Sequence, residues 1–462
     1  MDNRFLPHNT HLEGPDAFQL LDPHLRQLQR LPLVHQSELI SQLLPLDPGI
    51  YTVTGGRQVG KTTLIKQWMV RLIENRVDPK RILYLTGELI DDHHSLVRMM
   101  TDALGDMPQG ALHYLMVDEV TYIRDWDRGI KYLADAGALE NVVLMLTGSD
   151  LVIIQEARMR FPGRRGESPQ VDFHLYPLSF GESVKLKSGF TRKEWDLLGD
   201  VDGEFSADLM HRLFHEFEDY LVHGGFLTAI NDMAKDQRIL PATFLTYSDW
   251  VRGDVLKRNK REHYLREILG AMIARYGSQV SWNALASDLS IDHPKTVSDY
   301  VALLVSMDAV FVQHAVREDK LTAAPKKAKK IMFADPFIFH AINAWLDPVE
   351  DPFGEQLEPV LSQGDWVSKL TEACATTHFR KRFPTYYIKA AGEVDIAYVH
   401  KNRLWPVEIK WTRQLRPKQL KQIAKYPNGR ILTRSLNRGE INGVPTEPLP
   451  LAMLRLDAPY GR

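Results

Sequence analysis

The sequence predicts an α/β chain of three modules in series, and three observations carry that prediction. A glycine-rich loop stands between a β-rich run and an amphipathic helical pattern at residues 50–76. Three short helical patterns closed by two strands follow at about 258–334. A hairpin pattern at 385–399 then leads into a strand that carries charge on one face. The 462 residues suit two to four domains at about 100–200 residues each, and the boundaries are placed at 1–240, 241–345 and 346–462. A hydrophobic share of 44% with 25% charged residues supplies packed cores and sets aside disordered, collagenous and coiled-coil classes.

Charge and cysteine usage narrow the setting. The net charge of -2 carries no whole-chain signal, but residues 361–462 hold 18 Lys/Arg against 8 Asp/Glu. A basic C-terminal part joined to an acidic body points to a polyanionic partner; a solvated basic surface is the bland alternative. The single cysteine, Cys374, excludes an internal disulfide framework and fits a reducing compartment. MDNRFLPHNTHLEG has no secretory pattern, and no apolar run approaches the roughly 20 residues that span a bilayer. The expected location is cytoplasmic, without a membrane partner. Residues 1–45 are expected to form a helix packed on the first module.

The first module begins with IYTVT at 50–54, then GGRQVGKTT, then LIKQWMVRLIENR. The loop fits GxxxxGK(S/T), so Gly55, Gly56, Arg57, Gln58, Val59, Gly60, Lys61, Thr62 and Thr63 are the expected nucleotide-binding residues. Gly55 and Gly60 let successive amides turn inward toward phosphate oxygens, and the helix N-terminus adds partial positive charge. Lys61 would reach the β/γ-phosphates of ATP, and the Thr62 hydroxyl would ligate Mg²⁺. Downstream, the apolar strand YLMV ends in Asp118-Glu119. Asp118 would hold Mg²⁺ through water while Glu119 orients and polarises the attacking water. A further strand, NVVLMLTGSD, ends in Thr147-Gly148-Ser149, where a polar side chain can stand between γ-phosphate and nucleophile. The set implies hydrolysis.

Taken together, GGRQVGKTTL, VDEV with Trp126 shortly after, LTGSD and GRRGESPQVDFHLYPLSFGE resemble the prokaryotic AAA+ ATPases that carry a winged-helix domain and a C-terminal nuclease-like domain. The resemblance implies a sensor role for Ser149 and a role in trans for Arg164 on a neighbour's γ-phosphate, hence a homo-oligomer, with a hexamer among the options. Arg165 is adjacent, and sequence does not choose between the two. The family's GG(F/Y)P element stands here as Gly224-Gly225-Phe226-Leu227, with leucine in place of proline.

In the middle module, helical spacing at 264–276, SWNALASDLS and IDHPKTVSDYVALLVSM precede the strands AVFVQHA and KIMFA. This is a winged helix-turn-helix pattern. A DNA-reading role would place Lys295, Thr296 and Ser298 at a groove and a lysine-rich wing (Lys326, Lys327, Lys329, Lys330) on phosphate. Asp292 and Asp299 oppose that role, and a lid or packing role fits as well.

In the last module, TYYIKAAGEVDIAYV reads as a hairpin, and LWPVEIKW follows a turn at His400–Arg403. Glu408 and Lys410, two apart on a strand, face one side. Asp395 with Glu408-x-Lys410 has the spacing of a PD-(D/E)XK nuclease core. Two carboxylates on adjacent strands can hold Mg²⁺, and the lysine can orient or help deprotonate water. Glu372 on an upstream helix is a further acidic candidate. Gln422-Ile-Ala-Lys-Tyr426 matches the QhxxY element of the exonuclease-like branch, with Gln422 and Tyr426 on one helical face. The basic flanks Arg380-Lys381-Arg382 and Arg413 through Lys425 would track phosphates, with Tyr386, Tyr387 and Trp411 as stacking candidates. His93-His94 is set aside as a metal pair, because no ligand stands at the right spacing.

The functional expectation is an ATP-hydrolysing protein acting on DNA with a Mg²⁺-dependent nuclease-type domain, in repair, recombination or defence. The rival is an ATP-switched DNA-binding or signalling protein whose nuclease-like domain is a non-catalytic binding module.

Overall fold

A computed structural model describes residues 3–43, 47–108, 110–149, 155, 159–161, 163–187, 189–200, 203–291, 293–412 and 420–457. Asp150, Asp292 and residues 413–419 of the expected basic flank lie outside the described residues. The chain divides into two units, Met1–Tyr176 and Pro177–Arg462.

The first unit is built on a parallel five-stranded sheet from β1 (Gly49–Thr54), β2 (Ile82–Thr86), β3 (His113–Asp118), β4 (Val142–Gly148) and β5 (Asp172–His174), in the order β2-β3-β4-β1-β5. β1, β3 and β4 are buried along their whole length, as parallel strands covered on both faces must be. Side chains of period two divide between the faces. Leu83, Leu85, Leu115, Val117, Leu144 and Leu146 pack with the helices His93–Asp106 and Trp126–Asp135. Tyr84, Met116, Val143 and Met145 meet Leu64, Ile65, Trp68, Met69 and Leu72 of the helix Lys61–Glu74.

The N-terminal stretch packs on this core through Phe5, Phe18, Leu25, Ile40 and Leu43, but not as the single helix expected. Its helical pieces are at most six residues long, Asn3–His8 and Pro23–Leu28. Gly14, Pro15 and Pro23 interrupt any longer run, while Pro7 lies inside the first piece. Asp22 caps the second piece through the amides of His24 and Leu25. It also receives Lys66 Nζ at 2.8 Å in an ion pair whose side chains are each 1% exposed.

Because every strand in this sheet runs the same way, their C-terminal ends share one edge. Register sets Thr86 beside Asp118, Val117 beside Leu146 and Thr54 beside Gly148. The loop after β1 and the acidic pair after β3 therefore meet.

The second unit opens with five helices between Phe180 and Lys257, whereas the sequence boundary at residue 240 groups most of them with the ATPase module. Glu262–Ala274, Trp282–Ala286 and Pro294–Ser306 follow, then β6 (Val310–His314). A small pair, β7 (Val316–Arg317) and β8 (Thr322–Ala323), precedes β9 (Lys329–Phe333), which lies antiparallel to β6. After the helices Pro336–Leu346 and Gly364–Arg382 comes a mixed sheet. Its strands are β10 (Thr385–Lys389), β11 (Glu393–His400), β12 (Arg403–Lys410), β13 (Arg430–Thr433), β14 (Gly439–Ile441) and β15 (Val444–Pro448). Their order is β10-β11-β12-β13-β15-β14, with β10, β11 and β12 antiparallel and β12, β13 and β15 parallel.

Two sequence motifs pair inside this unit. Leu178 of LYPLSF donates its amide to Gly225 O at 2.8 Å, and Tyr220 Oη donates to Leu178 O at 2.6 Å. Gly225 N in turn donates to Asp335 Oδ2 at 2.8 Å. Burial pushes the Asp335 carboxyl up to about 6, against the amides of Gly225 and Phe337. The Gly224-Gly225 turn is thus a packing element held by a buried carboxyl. Among the described residues no helix is long and apolar enough to cross a membrane.

Candidate functional site

The loop after β1 needs its glycines. Gly55 adopts φ +153°, and a Cβ there would stand 2.2 Å from Leu175 O; Gly60 adopts φ +96°. Gln58 also takes positive φ, 63°, and Arg57 Nη2 donates to Tyr122 Oη at 3.2 Å. Lys61 begins the following helix and curls back into the loop. Its Nζ donates to Gly55 O at 3.1 Å, Gly56 O at 2.9 Å and Ser149 Oγ at 2.9 Å, and stands 3.5 Å from Glu119 Oε1. Burial lowers the lysine's proton affinity, and the Glu119 and Asp118 carboxylates oppose that shift.

Asp118 sits under a lattice of hydroxyls. Thr62 Oγ1 and Tyr84 Oη each donate to its Oδ2 at 2.7 Å, and Thr147 Oγ1 donates to Oδ1. Thr147 also accepts the Glu119 amide at 2.9 Å. Glu119 itself holds φ 51°, a left-handed backbone that is costly outside glycine and gathers at functional sites. Its Oε1 accepts Ser149 Oγ at 2.7 Å, while Oε2 is buried without a hydrogen-bond partner. Lys61, Ser149 and Glu119 thus form one chain of contacts across the ends of β1, β3 and β4. Thr62 with Asp118 offers hard oxygen donors at one point, which fits Mg²⁺.

Sequence reasoning misses Tyr84, which lies mid-strand in an apolar run and carries no motif. Its hydroxyl fixes Asp118, and its ring receives Lys66 Nζ at 4.0 Å. Burial, with the Asp118 charge, raises the phenol far above the usual range, so it stays a donor. Tyr84→Phe is expected to raise the Mg²⁺ needed for half-maximal ATP turnover about tenfold, the usual scale for a lost ligand-orienting bond. An unchanged Mg²⁺ titration would deny Tyr84 that role.

The two arginines separate. Arg165 is committed: Nη1 reaches Asp172 Oδ2 at 2.8 Å, and Nη2 donates to Asp172 Oδ1 at 2.5 Å and Val171 O at 3.2 Å. It staples the edge strand. Arg164 pairs with Asp135 in a partly exposed contact.

In the second unit, β11, β12 and the helix Gly364–Arg382 assemble an acidic cluster. Asp395 Oδ2 accepts Ile409 N at 2.9 Å. Glu408 Oε1 pairs with Lys410 Nζ at 2.5 Å, as the two-residue spacing requires, and Glu408 Oε2 is buried without a partner. Burial and the Asp395 charge push Glu408 up to about 8. Glu372 is pushed up to about 7 by burial, against the pull of Lys330. Lys410 is raised by Asp395 and Glu408 in spite of its burial.

Glu393, absent from the sequence candidates, joins the set. It lies two residues before Asp395 on β11, hence on the same face, which period two makes legible. Oxygens of Glu372, Glu393 and Asp395 lie within 4.8 Å of one another. Gln422 and Tyr426 meet as expected, Nε2 to Oη at 3.4 Å. They do so at the ends of a 3₁₀ turn, Ile423–Lys425, rather than on the face of an α-helix. Their other bonds run to Lys425 and Glu318, not to the carboxylates.

Several expectations need correction. Lys329 and Lys330 are not wing residues: both are buried, 5% and 1% exposed, on β9, because that strand is covered on both faces. Lys326 and Lys327 are exposed. Tyr387 and Trp411 are core, at 0% and 7% exposure, with Trp411 stacked on Phe214 at 5.8 Å. The run 380–382 is also engaged: Arg380 over the Phe311 ring at 4.3 Å, Lys381 on Pro177 O at 3.1 Å and Arg382 on Asp457 O at 3.2 Å. The His93 and His94 rings lie tilted against each other with centroids 4.0 Å apart, and Cys374 is a buried free thiol.

Residues 47–184 match the family described as AAA domain. The first unit carries an AAA-type P-loop ATPase core. Residues 214–348 match a second family, described as a domain of unknown function (DUF8612), so the AAA-type match stops short of the acidic cluster and DUF8612 takes in Lys330 alone of that site. A Haemophilus influenzae protein described as uncharacterized is 23% identical over 268 residues, 55% of this chain. The chain spans about 60% of that relative's length. Among solved structures, the Walker-type ATPase PABY2304 of Pyrococcus abyssi is 13% identical, covering 66% of this chain and 93% of its own, at TM-score 0.42. A single-substitution variant of Thermotoga maritima RuvB is 17% identical, covering 59% and 84%, at TM-score 0.26.

Proposed function

We propose that this AAA-type ATPase hydrolyses ATP to drive rearrangement on DNA, and that its C-terminal sheet is a nuclease-type module. Lys61 binds the β/γ-phosphates, exchanging its carbonyl contacts for phosphate oxygens. Thr62 and Asp118 hold Mg²⁺, which neutralises phosphate charge when bound. Glu119 orients the attacking water and takes up its proton, and Ser149 links Glu119 to Lys61. The observation that carries this reading is Glu119 Oε2: a buried carboxylate oxygen with no partner, beside an Oε1 already fixed by Ser149. It is an acceptor held ready for water.

The partition 1–240, 241–345 and 346–462 belongs to the same proposal, with a winged helix in the middle, Lys295, Thr296 and Ser298 facing DNA, and a homo-oligomer in which Arg164 acts on a neighbour's nucleotide. Lys295 is exposed on the helix Pro294–Ser306, and Arg165 is occupied at Asp172, which favours Arg164 as the candidate. In the last module Asp395 and Glu408 would hold Mg²⁺ and Lys410 would orient water for phosphodiester cleavage. The second reading, a non-catalytic DNA- or partner-binding module switched by ATP, is favoured by Lys330, an ammonium already seated among the carboxylates.

The experiment is cleavage of linear, branched and single-stranded DNA with and without Mg²⁺ and ATP. The nuclease-type reading expects Mg²⁺-dependent cleavage that Asp395→Ala abolishes while ATP turnover continues. Wild-type protein inert on every DNA with Mg²⁺ and Mn²⁺ decides for the binding module.

A further inference from the structure

The three carboxylates whose oxygens converge within 4.8 Å, Glu372, Glu393 and Asp395, converge on an ammonium. Lys330 Nζ stands 2.6 Å from Glu372 Oε1, pairs with Glu393 Oε1 and lies 3.9 Å from Asp395 Oδ1. Its side chain is 1% exposed. The lysine comes from β9, not from the sheet that carries the acids, and its position is set by backbone. Lys330 lies opposite Gln313 in the β6–β9 register, and Val280 pairs with Lys329 at 2.8 and 2.9 Å.

The strand pair is fastened to the sheet on both sides of the cluster. Gln313 Nε2 donates to Tyr386 O at 3.0 Å and Asp395 O at 2.9 Å, and Tyr387 Oη donates to Ala328 O at 2.5 Å. A side chain with this much fixed support is a built component of the cluster.

The local charge shows what this component leaves undone. Four carboxylates, Glu372, Glu393, Asp395 and Glu408, face two ammonium groups, Lys330 and Lys410. Lys410 serves Glu408 and Lys330 serves the other three. Within the cluster, Glu408 Oε2 keeps a buried, unpartnered oxygen. One focus of carboxylates is thus filled by Lys330, and Asp395 with Glu408 is the pair to which the nuclease-type reading assigns Mg²⁺.

We infer that Lys330 is the resident cation of the Glu372–Glu393–Asp395 position, standing where the second divalent ion of a two-metal phosphodiesterase cluster would bind, so that ammonium and metal exclude each other there. The inference rests on the nuclease-type reading of the cluster. It deepens that reading by making the site a one-metal site. Two cations cannot share the focus of three carboxylates without repulsion, and a tethered ammonium needs no recruitment from solvent.

The test is Mn²⁺ stoichiometry on the full chain without nucleotide, by electron paramagnetic resonance titration. Lys330→Met is expected to bind one more Mn²⁺ per chain than wild type, at least about tenfold more tightly than wild type binds at that position, the scale of an energetic coupling between two ligands. The gain must vanish when Asp395→Ala is added, and Lys330→Arg must not show it. Removing one partner of a buried ion cluster can prevent folding. If Lys330→Met does not unfold cooperatively, the double variant Lys330→Met with Glu393→Gln removes one charge of each sign, keeps Glu372 and Asp395, and is expected to bind an extra ion that wild type lacks, more weakly than three carboxylates would hold it.

Equal stoichiometry and affinity in wild type and the folded variant would overturn the inference. The nuclease-type reading is judged separately, by DNA cleavage. Cleavage with no extra ion in Lys330→Met sinks the inference alone. An extra ion without cleavage in any variant sinks the nuclease reading and leaves the cation exchange standing.

Discussion

Glu119→Gln is expected to keep ATP bound and to lose hydrolysis, with turnover falling about 10²–10⁴-fold, the range for a removed general base. The amide preserves size and can still accept from Ser149 Oγ, which now sits 2.7 Å from Oε1. It cannot take a proton through the position of Oε2. Asp118 and Thr62 keep their 2.7 Å bond, so the Mg²⁺ donors are left in place and affinity should change little. Lys61→Ala is the contrasting case. It deletes the ammonium that bridges the loop carbonyls, Ser149 and Glu119, so ATP binding itself should fail in an equilibrium titration. A Lys61→Ala protein that binds ATP as wild type does would remove the lysine from the phosphate site.

Arg164→Ala is expected to reduce ATP turnover per chain by roughly 10³-fold or more, the scale of a lost arginine finger in GTPases. Arg165 is spent on Asp172 and the Val171 carbonyl, and moving it would open the β1–β5 edge. Arg164 instead pairs with Asp135 in a partly exposed contact, which solvent screens more than a buried pair. The same assignment expects wild-type turnover per chain to climb with protein concentration until assembly saturates. Turnover that is flat down to the monomer, or that survives Arg164→Ala, would refute an arginine acting in trans.

The legible part of the nucleotide site is the part written in local sequence. Gly55 to Thr63 are contiguous, Asp118-Glu119 ends an apolar strand, and Ser149 ends the next. Parallel pairing brings the three ends together. Tyr84 stays hidden because its role depends on β2 lying beside β3, and nothing local distinguishes it from a core tyrosine. The N-terminal stretch departs from the expected helix because its prolines break the helical spacing of its leucines into short pieces.

The acidic cluster shows the same division. Asp395, Glu408 and Lys410 follow from strand spacing, and the Lys410–Glu408 pair follows from period two. The lysine-rich loop between AVFVQHA and KIMFA suggests a wing for Lys330. Its neighbours Ile331, Met332 and Phe333 mark a buried strand instead, and that signal is present in the sequence. What sequence does not supply is the partner: the helix and sheet acids lie 42 to 65 positions downstream of Lys330. A lysine on a buried strand is costly unless paired, so its burial alone calls for such a partner. Tyr387 and Trp411, candidates for base stacking, belong to the core: Tyr387 lies on β10 with its hydroxyl on Ala328 O, and Trp411 packs on the rings of Phe214 and Phe217.

Hydrolysis at this site is tested by phosphate release from wild type and Glu119→Gln at matched, verified nucleotide occupancy with Mg²⁺. Steady wild-type release and a variant that holds ATP while releasing phosphate at least about a hundredfold more slowly is the expected result. A variant that releases phosphate at the wild-type rate, or a wild type that binds ATP and releases none at any protein concentration, would contradict hydrolysis at this site.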